Sequence, residues 1–140
     1  MILALETATT ACSAALCAAD GSVVAERVSL AGPAHSQLLL RFVREVLEEA
    51  KHGWDDIGTV AAGLGPGAFT GLRIGIATAR ALVQADGRVT LAGVPTLSAL
   101  ALALADAPEA AAGGSLVPLV DGRRREVFAA VFELDDDGVR

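Results

Sequence analysis

One segment decides the fold of this chain: Thr59-Val-Ala-Ala-Gly-Leu-Gly-Pro-Gly-Ala-Phe-Thr-Gly-Leu-Arg-Ile-Gly-Ile-Ala-Thr-Ala-Arg80. Its apolar opening predicts a short strand over residues 59–62, and its end predicts a helix over about 70–85 with Thr70 as the N-cap. The glycines between them let the backbone take positive φ angles and lie close to another surface. The segment is therefore predicted to be a strand, a close-fitting turn and a helix.

The predicted helix carries small residues on one face, because Gly71, Gly75 and Ala79 repeat every four positions. Each glycine inside a helix costs roughly 1 kcal/mol relative to alanine, so a close contact must compensate for it. Either the helix packs tightly within the chain's own core, or this face receives another protein. The spacing alone leaves both interpretations open.

The glycine-rich turn does not match the common phosphate-binding loops. A Walker A loop needs a lysine after its last glycine, and this chain has Leu72 there. Residues 63–68 match a loose dinucleotide-binding pattern, but the next predicted strand, residues 89–94, ends without the acid that would bind the ribose. A Rossmann site is therefore disfavoured.

Length and charge limit the classes of protein further. The chain has 140 residues and a formal net charge of −6. This length can bury a core, and the negative charge argues against nucleic-acid binding by the chain alone. The sequence contains no long uninterrupted apolar run and no basic leader, so we expect a cytoplasmic protein. Cys12 and Cys17 should point to opposite faces of a strand as reduced thiols.

The order of the predicted elements indicates an α/β protein. The other elements with clear periodicity are strands over residues 2–8, 12–19, 23–30, 89–94, 116–121 and 126–134, and helices over 34–51 and 96–107. A meander of three strands followed by crossover units predicts a mixed five-stranded sheet with helices on its faces. We expect residues 1–107 to form one lobe, 108–115 a linker, and 116–140 the beginning of a second lobe.

Two predicted helices have more apolar surface than one contact needs. In the helix over 34–51, Leu39 and Phe42 belong to a buried stripe, and Leu38 and Leu40 lie roughly 100° to either side of it. These two leucines either meet a partner helix or cover the rim of the chain's own lobe. The helix over 96–107 is apolar all round, which predicts burial or an interface.

No residue set in the sequence matches a catalytic or metal site. His35 and His52 are the only histidines, and their spacing excludes the HxxxH and HExxH metal motifs. Ser36 has no evident base, so a Ser-His-Asp triad is unsupported. Arg73 and Arg80 share a helix face, where we expect them to pair with acids or line an interface.

Two predicted strand ends carry acids where open sheets place ligand groups. Glu6 and Thr7 close the first strand, and Asp121 closes the sixth. Two such ends facing each other would form a nucleotide cleft, in which Gly65 and Gly67 would also approach the phosphates. A carboxylate that is hydrogen-bonded at its own strand end is an equally good interpretation of Glu6.

The glycine-rich segment, residues 65–75, resembles the signature loop of the bacterial TsaB (YeaZ) family. Residues 2–9, 35–39 and 121–128 resemble weaker motifs of the same family, in the same order. The resemblance implies an ASKHA-type fold, the fold of actin, Hsp70 and sugar kinases. Glu6 stands where many members have Asp, and members usually run well past this length. We therefore expect weak or absent nucleotide binding by this chain.

The resemblance also implies a function without catalysis by this chain. TsaB proteins pair with TsaD and with TsaE, an ATPase, and the complex uses ATP to place threonylcarbamoyl on the adenosine next to the anticodon of tRNAs reading ANN codons. TsaD carries the metal site and performs the transfer, so this chain needs neither a metal nor a tightly bound cofactor. It would meet tRNA only within the complex, and alone we expect a homodimer. The alternative is a small-molecule kinase or phosphotransferase with the same fold.

The implied interface with TsaD lies on the two helices that begin near residues 34 and 70. This assignment takes the small-residue face and the surplus leucines as surface for the partner. The candidate interface residues are His35, Leu38, Leu39, Phe42, Gly71, Arg73, Ile74, Gly75 and Arg80.

Overall fold

The architecture comes from a computed structural model, which describes residues 1–30, 35–108, 110, 113–123, 125–135 and 138–140. The predicted first residue of the helix over 34–51 lies outside this described part, and so do residues 109, 111 and 112 of the predicted linker. Over the described ranges, we find no helix with the length and apolar character needed to cross a membrane.

Five strands form the central sheet. They are β1 (Ile2–Glu6), β2 (Cys12–Cys17), β3 (Val23–Ser29), β4 (Thr59–Gly63) and β5 (Thr90–Val94). Their order across the sheet is β3-β2-β1-β4-β5. The first three strands pair antiparallel as a meander, whereas β4 runs parallel to both β1 and β5. The predicted mixed five-stranded sheet is confirmed.

Three helices follow the strands in the predicted order: α1 (His35–Ala50), α2 (Phe69–Ala85) and α3 (Thr96–Ala105). The sequence had predicted Thr70 as the N-cap of α2, and this prediction is wrong. The cap position belongs to Ala68, which has no side-chain hydrogen bond to the helix. The Ala68 amide instead donates a 2.6 Å bond to the carbonyl of Ala8, and this tertiary contact starts the helix earlier than the side-chain chemistry indicates.

The C-terminus of α1 lies at Ala50, one residue before the predicted end of this helix at residue 51. Lys51 takes a left-handed conformation with φ of 56° directly after Ala50. The His52 amide then donates to the carbonyl of Leu47, and the Lys51 amide donates to that of Glu48. These two bonds satisfy carbonyl groups at the end of the helix in the pattern of a Schellman motif. The helix therefore ends with a lysine in the left-handed position that a glycine commonly holds.

One face of the sheet forms the core together with α1 and α2. Buried and half-buried residues alternate along β1, β2 and β4, as the two-residue period of a strand requires. The register places Leu3 beside both Leu16 and Val60, and all three side chains are fully buried. Cys12 is buried on this face and Cys17 is half-buried on the other, so their predicted opposite orientation is confirmed.

The opposite face of the sheet is covered only in part. The half-buried residues Ala4, Ala15, Ala61 and Gly63 of the sheet line a groove of about 240 Å³, and Ala99 of α3 lines it as well. Leu97 and Ala101 of α3 are buried, but Leu102 and Leu104 are exposed. Burial of α3 on all sides is therefore not observed within the described residues, and an interface for its outer side stays a prediction.

The C-terminal strands are more numerous than predicted. A three-stranded sheet contains β6 (Gly114–Leu116), β9 (Phe132–Asp135) and β10 (Gly138–Val139), and a separate hairpin contains β7 (Leu119–Arg123) and β8 (Glu126–Ala129). The single strand predicted over 126–134 is thus wrong, because its first half pairs with β7 and its second half with β6. The strand β6 also begins inside the predicted linker.

Candidate functional site

The glycine loop, residues 64–68, connects β4 to α2 and is held by backbone bonds on three sides. The Leu64 amide donates to the carbonyl of Val94 at the end of β5, and the Ala68 amide donates to that of Ala8. The Thr96 amide, at the start of α3, donates to the carbonyl of Gly65 at 2.8 Å. The loop is therefore fixed in place by the elements around it.

The Glu6 carboxylate joins the end of β1 to this loop. Its Oε1 atom accepts hydrogen bonds from the amides of Thr7 (2.7 Å) and Ala8 (2.6 Å). Its Oε2 atom accepts a 2.8 Å bond from the hydroxyl of Thr96, and that hydroxyl accepts a 3.2 Å bond from the Gly65 amide. Of the two sequence interpretations of Glu6, the hydrogen-bonded strand-end acid describes this geometry.

Glycines make these close contacts sterically feasible. A Cβ atom at Gly63 would collide with the Glu6 carboxylate, and one at Gly67 would collide with the carbonyl oxygen of Ala8. Gly65 has φ of +84°, a left-handed conformation that side chains with a Cβ rarely adopt. The close approach that the alternating glycines predicted is thus made to the chain's own β1 end.

The small-residue face of α2 is also covered by the end of β1. The Thr7 side chain is 2% exposed, and its hydroxyl donates a 2.8 Å bond to the carbonyl of Gly71. A Cβ at Gly71 would overlap the Thr7 carbonyl oxygen, and one at Gly75 would overlap the Thr7 hydroxyl. Both glycines are buried, so they offer no surface to a partner here. Tight packing within the chain's own core accounts for this face.

Three further predicted interface residues lie inside the chain. His35 is buried, and its Nε2 atom lies 3.2 Å from the carbonyl oxygen of Ala11. Leu39 and Phe42 belong to the hydrophobic core. The reason is the helical period, which places all three on the same stripe of α1 as the buried Val46. The prediction that these three side chains contact a partner directly is therefore wrong, because they are buried within the chain.

The other four predicted interface residues remain near the surface. Leu38 of α1 and Ile74 of α2 are half-buried and pack against the core. Arg73 and Arg80 are exposed on α2. For these four residues, contact with a partner protein stays a prediction.

An exposed aromatic residue at the start of α2 was not among the residues predicted from the sequence. Phe69 is 72% exposed, and the guanidinium of Arg73 lies 5.4 Å from the centre of its ring. Leu64, at the other end of the glycine loop, is exposed as well and packs over Gly93. We call Leu64, Phe69 and Arg73 the loop rim. The sequence could have indicated this residue, because Phe69 is a large apolar side chain within a segment of otherwise small residues.

Asp121 lies on β7, opposite Val127 of the hairpin, and its backbone belongs to a different sheet from Glu6. The contacts around the glycine loop instead bring together Glu6, Thr7, Gly65 and, through Ala8, Gly67. Within the described ranges, no three His, Cys, Asp or Glu side chains are grouped so that they could hold a metal ion. A nucleotide cleft between Glu6 and Asp121 stays a prediction.

A meander of three strands, two parallel crossover strands and a glycine loop beside the first strand end define an ASKHA-like lobe. A family model described as "TsaD: tRNA N6-adenosine threonylcarbamoyltransferase" matches residues 14–139. The chain belongs to this family and, within it, to the TsaB/YeaZ group. The predicted family and fold class are thereby confirmed.

Individual relatives agree with this assignment. The chain is 36% identical, over 99% of its length, to the tRNA threonylcarbamoyladenosine biosynthesis protein TsaB of Escherichia coli (strain K12), of which it covers 57%. It is 32% identical to the protein of the same name from Haemophilus influenzae, covering 91% of this chain and 51% of that protein. The solved structure of YeaZ from Pseudomonas aeruginosa superposes with a TM-score of 0.85 at 34% identity, covering 99% of this chain and 62% of that one. The chain thus spans about half to three fifths of these relatives.

Proposed function

We propose that this chain is a supporting subunit, without catalysis of its own, of the complex that places threonylcarbamoyl on N6 of the adenosine next to the anticodon of tRNAs reading ANN codons. The likeness to E. coli TsaB over 99% of this chain carries the proposal. Its partners are TsaD, which performs the transfer, and TsaE, which consumes ATP, and tRNA is met only within the complex. We expect the protein to act in the cytoplasm, where its tRNA substrate would be modified.

The proposed surface for TsaD is the outer side of α1 and α2 together with the loop rim. Leu38 and Ile74 supply half-buried apolar area on these helices, and Phe69 supplies an exposed ring beside the cation of Arg73. Aromatic and arginine side chains are enriched among the residues that dominate binding energy at protein interfaces. In the absence of TsaD, the same surface joins two copies of this chain as a homodimer.

The proposal is tested by mixing the chain with the TsaD protein of its own organism and measuring mass by size exclusion with light scattering. We expect a one-to-one complex that replaces the homodimer. Because Phe69 and Arg73 are exposed, Phe69→Ser and Arg73→Glu leave the fold intact and should each weaken the complex by about tenfold or more. Val131→Ser is the matched control, since it removes an apolar side chain that is 70% exposed and lies outside the three helices, and it should bind as the unaltered chain does.

A modification assay tests the supporting role separately. With tRNA, an activated threonylcarbamoyl donor, TsaD, TsaE and ATP present, we expect threonylcarbamoyl transfer only when this chain is added. The chain without TsaD should transfer nothing. Absence of a complex with TsaD, or transfer that is independent of this chain, would contradict the proposal.

A further inference from the structure

The end of β1 forms a cradle of hydrogen-bond donors. The amides of Thr7 and Ala8 and the hydroxyl of Thr96, which lies on α3, all donate to the same carboxylate group. Successive backbone N–H groups that converge in this way make a concavity that suits an anion. Here the anion is the carboxylate of Glu6, the residue that directly precedes the two amides.

The surroundings of this cradle fit the carboxylate closely. Thr96 is buried, and its hydroxyl relays the interaction by accepting a bond from the Gly65 amide in the glycine loop. Gly63 on β4 leaves the space that the carboxylate occupies, because a Cβ there would collide with it. Hydrogen bonds to an ionised acceptor are shorter and stronger than bonds between neutral groups, and those to Oε1 are 2.6 and 2.7 Å long.

A second carboxylate lies on the same groove, because Glu26 of β3 lines it together with Glu6. An incoming phosphate would therefore have to displace the Glu6 carboxylate from a groove that a second carboxylate also lines. Like charges repel each other, so a groove that carboxylates line disfavours an anion. The groove side of the cradle is thus unfavourable for an external anion.

We propose that Glu6 is a positioning residue that serves as the built-in anion of this cradle. Its carboxylate holds the glycine loop through Thr96, and it excludes phosphate groups from the amides of Thr7 and Ala8. A nucleotide therefore does not place its phosphates at this strand end, although the strand-loop-helix geometry provides donors for them. This inference concerns the isolated chain and does not rest on the function proposed above.

The substitution Glu6→Gln tests whether Glu6 acts through the hydrogen bonds of its carboxylate or only through the space that its side chain fills. The glutamine side chain has the same shape, but one carboxylate oxygen becomes an NH2 group that donates and cannot accept. The amide oxygen can still accept from the amides of Thr7 and Ala8, but it is neutral, and the NH2 group that replaces Oε2 cannot accept the bond from the Thr96 hydroxyl. Glu26→Gln is the matched control, since it removes a carboxylate from the same groove that has no such cradle.

The first measurement is backbone amide hydrogen exchange of the whole chain by NMR. In Glu6→Gln, we expect the amides of Thr7, Ala8 and Gly65 to exchange at least about tenfold faster, given the strength of bonds to charged acceptors. Exchange in the core strands should stay unchanged, and Glu26→Gln should match the unaltered chain. Unchanged protection of the three amides in Glu6→Gln would overturn the proposal.

Gly63→Ala is a second variant that keeps the charge. The added Cβ displaces the flexible end of the Glu6 side chain without changing that residue. It should therefore expose the same three amides as Glu6→Gln does. Protection that is retained in Gly63→Ala would contradict the fit between Gly63 and the carboxylate.

The second measurement is a titration with inorganic phosphate, followed at the amide resonances. The unaltered chain should show no shift at Thr7 and Ala8, whereas Glu6→Ala should show saturable shifts at both. A phosphate response of the unaltered chain at these amides, or no response in Glu6→Ala, would overturn the exclusion of anions. Neither result depends on TsaD, so failure here leaves the proposed function to its own test.

Discussion

The hydroxyl of Thr7 donates a 2.8 Å hydrogen bond to the carbonyl of Gly71, across 64 positions of the sequence. This bond joins the end of β1 to the first turn of α2 and lies in the buried interior. The contact requires glycine on the helix, because a Cβ at position 71 would overlap the backbone oxygen of Thr7. It explains why α2 contains glycines that cost roughly 1 kcal/mol each relative to alanine.

Gly71→Ala tests this contact. Because the overlapping atom belongs to the backbone, relief requires movement of β1 or α2, and we expect a loss of about 1–3 kcal/mol in the free energy of unfolding. Urea denaturation of the two chains measures this difference. Gly87→Ala is the matched control, because its Cβ would meet open space, and its stability should stay within about 1 kcal/mol of the unaltered chain. Equal stability of the two variants would contradict the packing argument.

The sequence predicted much of this arrangement, but it did not identify which surfaces meet. The spacing of Gly71 and Gly75 indicated a close approach to α2, yet a spacing carries no information about the partner. That partner is Thr7, which lies far away in the sequence and is brought there by the parallel pairing of β1 with β4. The same limit applies to Glu6, whose role depends on Thr96 and on the clearance at Gly63.

The errors at element boundaries also have tertiary causes. The start of α2 is set by a bond between the backbones of Ala68 and Ala8, which no capping rule for side chains reveals. The predicted strand over 126–134 divides because its halves pair with different strands. Elements defined by periodicity alone, such as α1 and the meander, were predicted to within two residues at their C-terminal ends because local pattern and burial agree there.

Two adjacent leucines of α1 test the correction of the interface residues. Leu39 is 1% exposed in the core, so Leu39→Ala should lower the free energy of unfolding by about 2–5 kcal/mol. Leu40 is 56% exposed, and Leu40→Ala should change it by no more than about 0.5 kcal/mol. Chemical denaturation of the chain alone measures both effects. Similar small effects of the two substitutions would show that Leu39 is not a core residue.

Lys51 offers a stabilising substitution. It holds a left-handed conformation with φ of 56° at the end of α1, which a residue with a Cβ adopts at a cost of roughly 1 kcal/mol or more. Lys51→Gly should therefore raise the free energy of unfolding by up to about 1 kcal/mol, as read from the urea midpoint. Lys51→Ala removes the same charge but keeps the Cβ, so it should give no such gain. Equal gains in the two variants would assign the effect to the charge.

The turn before β5 predicts a dependence of stability on acid pH. The Arg88 guanidinium donates to both carboxylate oxygens of Asp86, at 2.9 and 2.7 Å, and lowers the pKa of Asp86 from 3.8 to about 2. A carboxylate whose pKa is lower in the folded state stabilises the protein above its unfolded pKa. This contribution is complete above about pH 4 and is lost as the pH falls through about 2. Asp86→Asn and Arg88→Ala should therefore each make the thermal midpoint fall less between pH 5 and pH 2 than it does in the unaltered chain. An Asp86→Asn chain whose midpoint falls as steeply as before would refute this role of the pair.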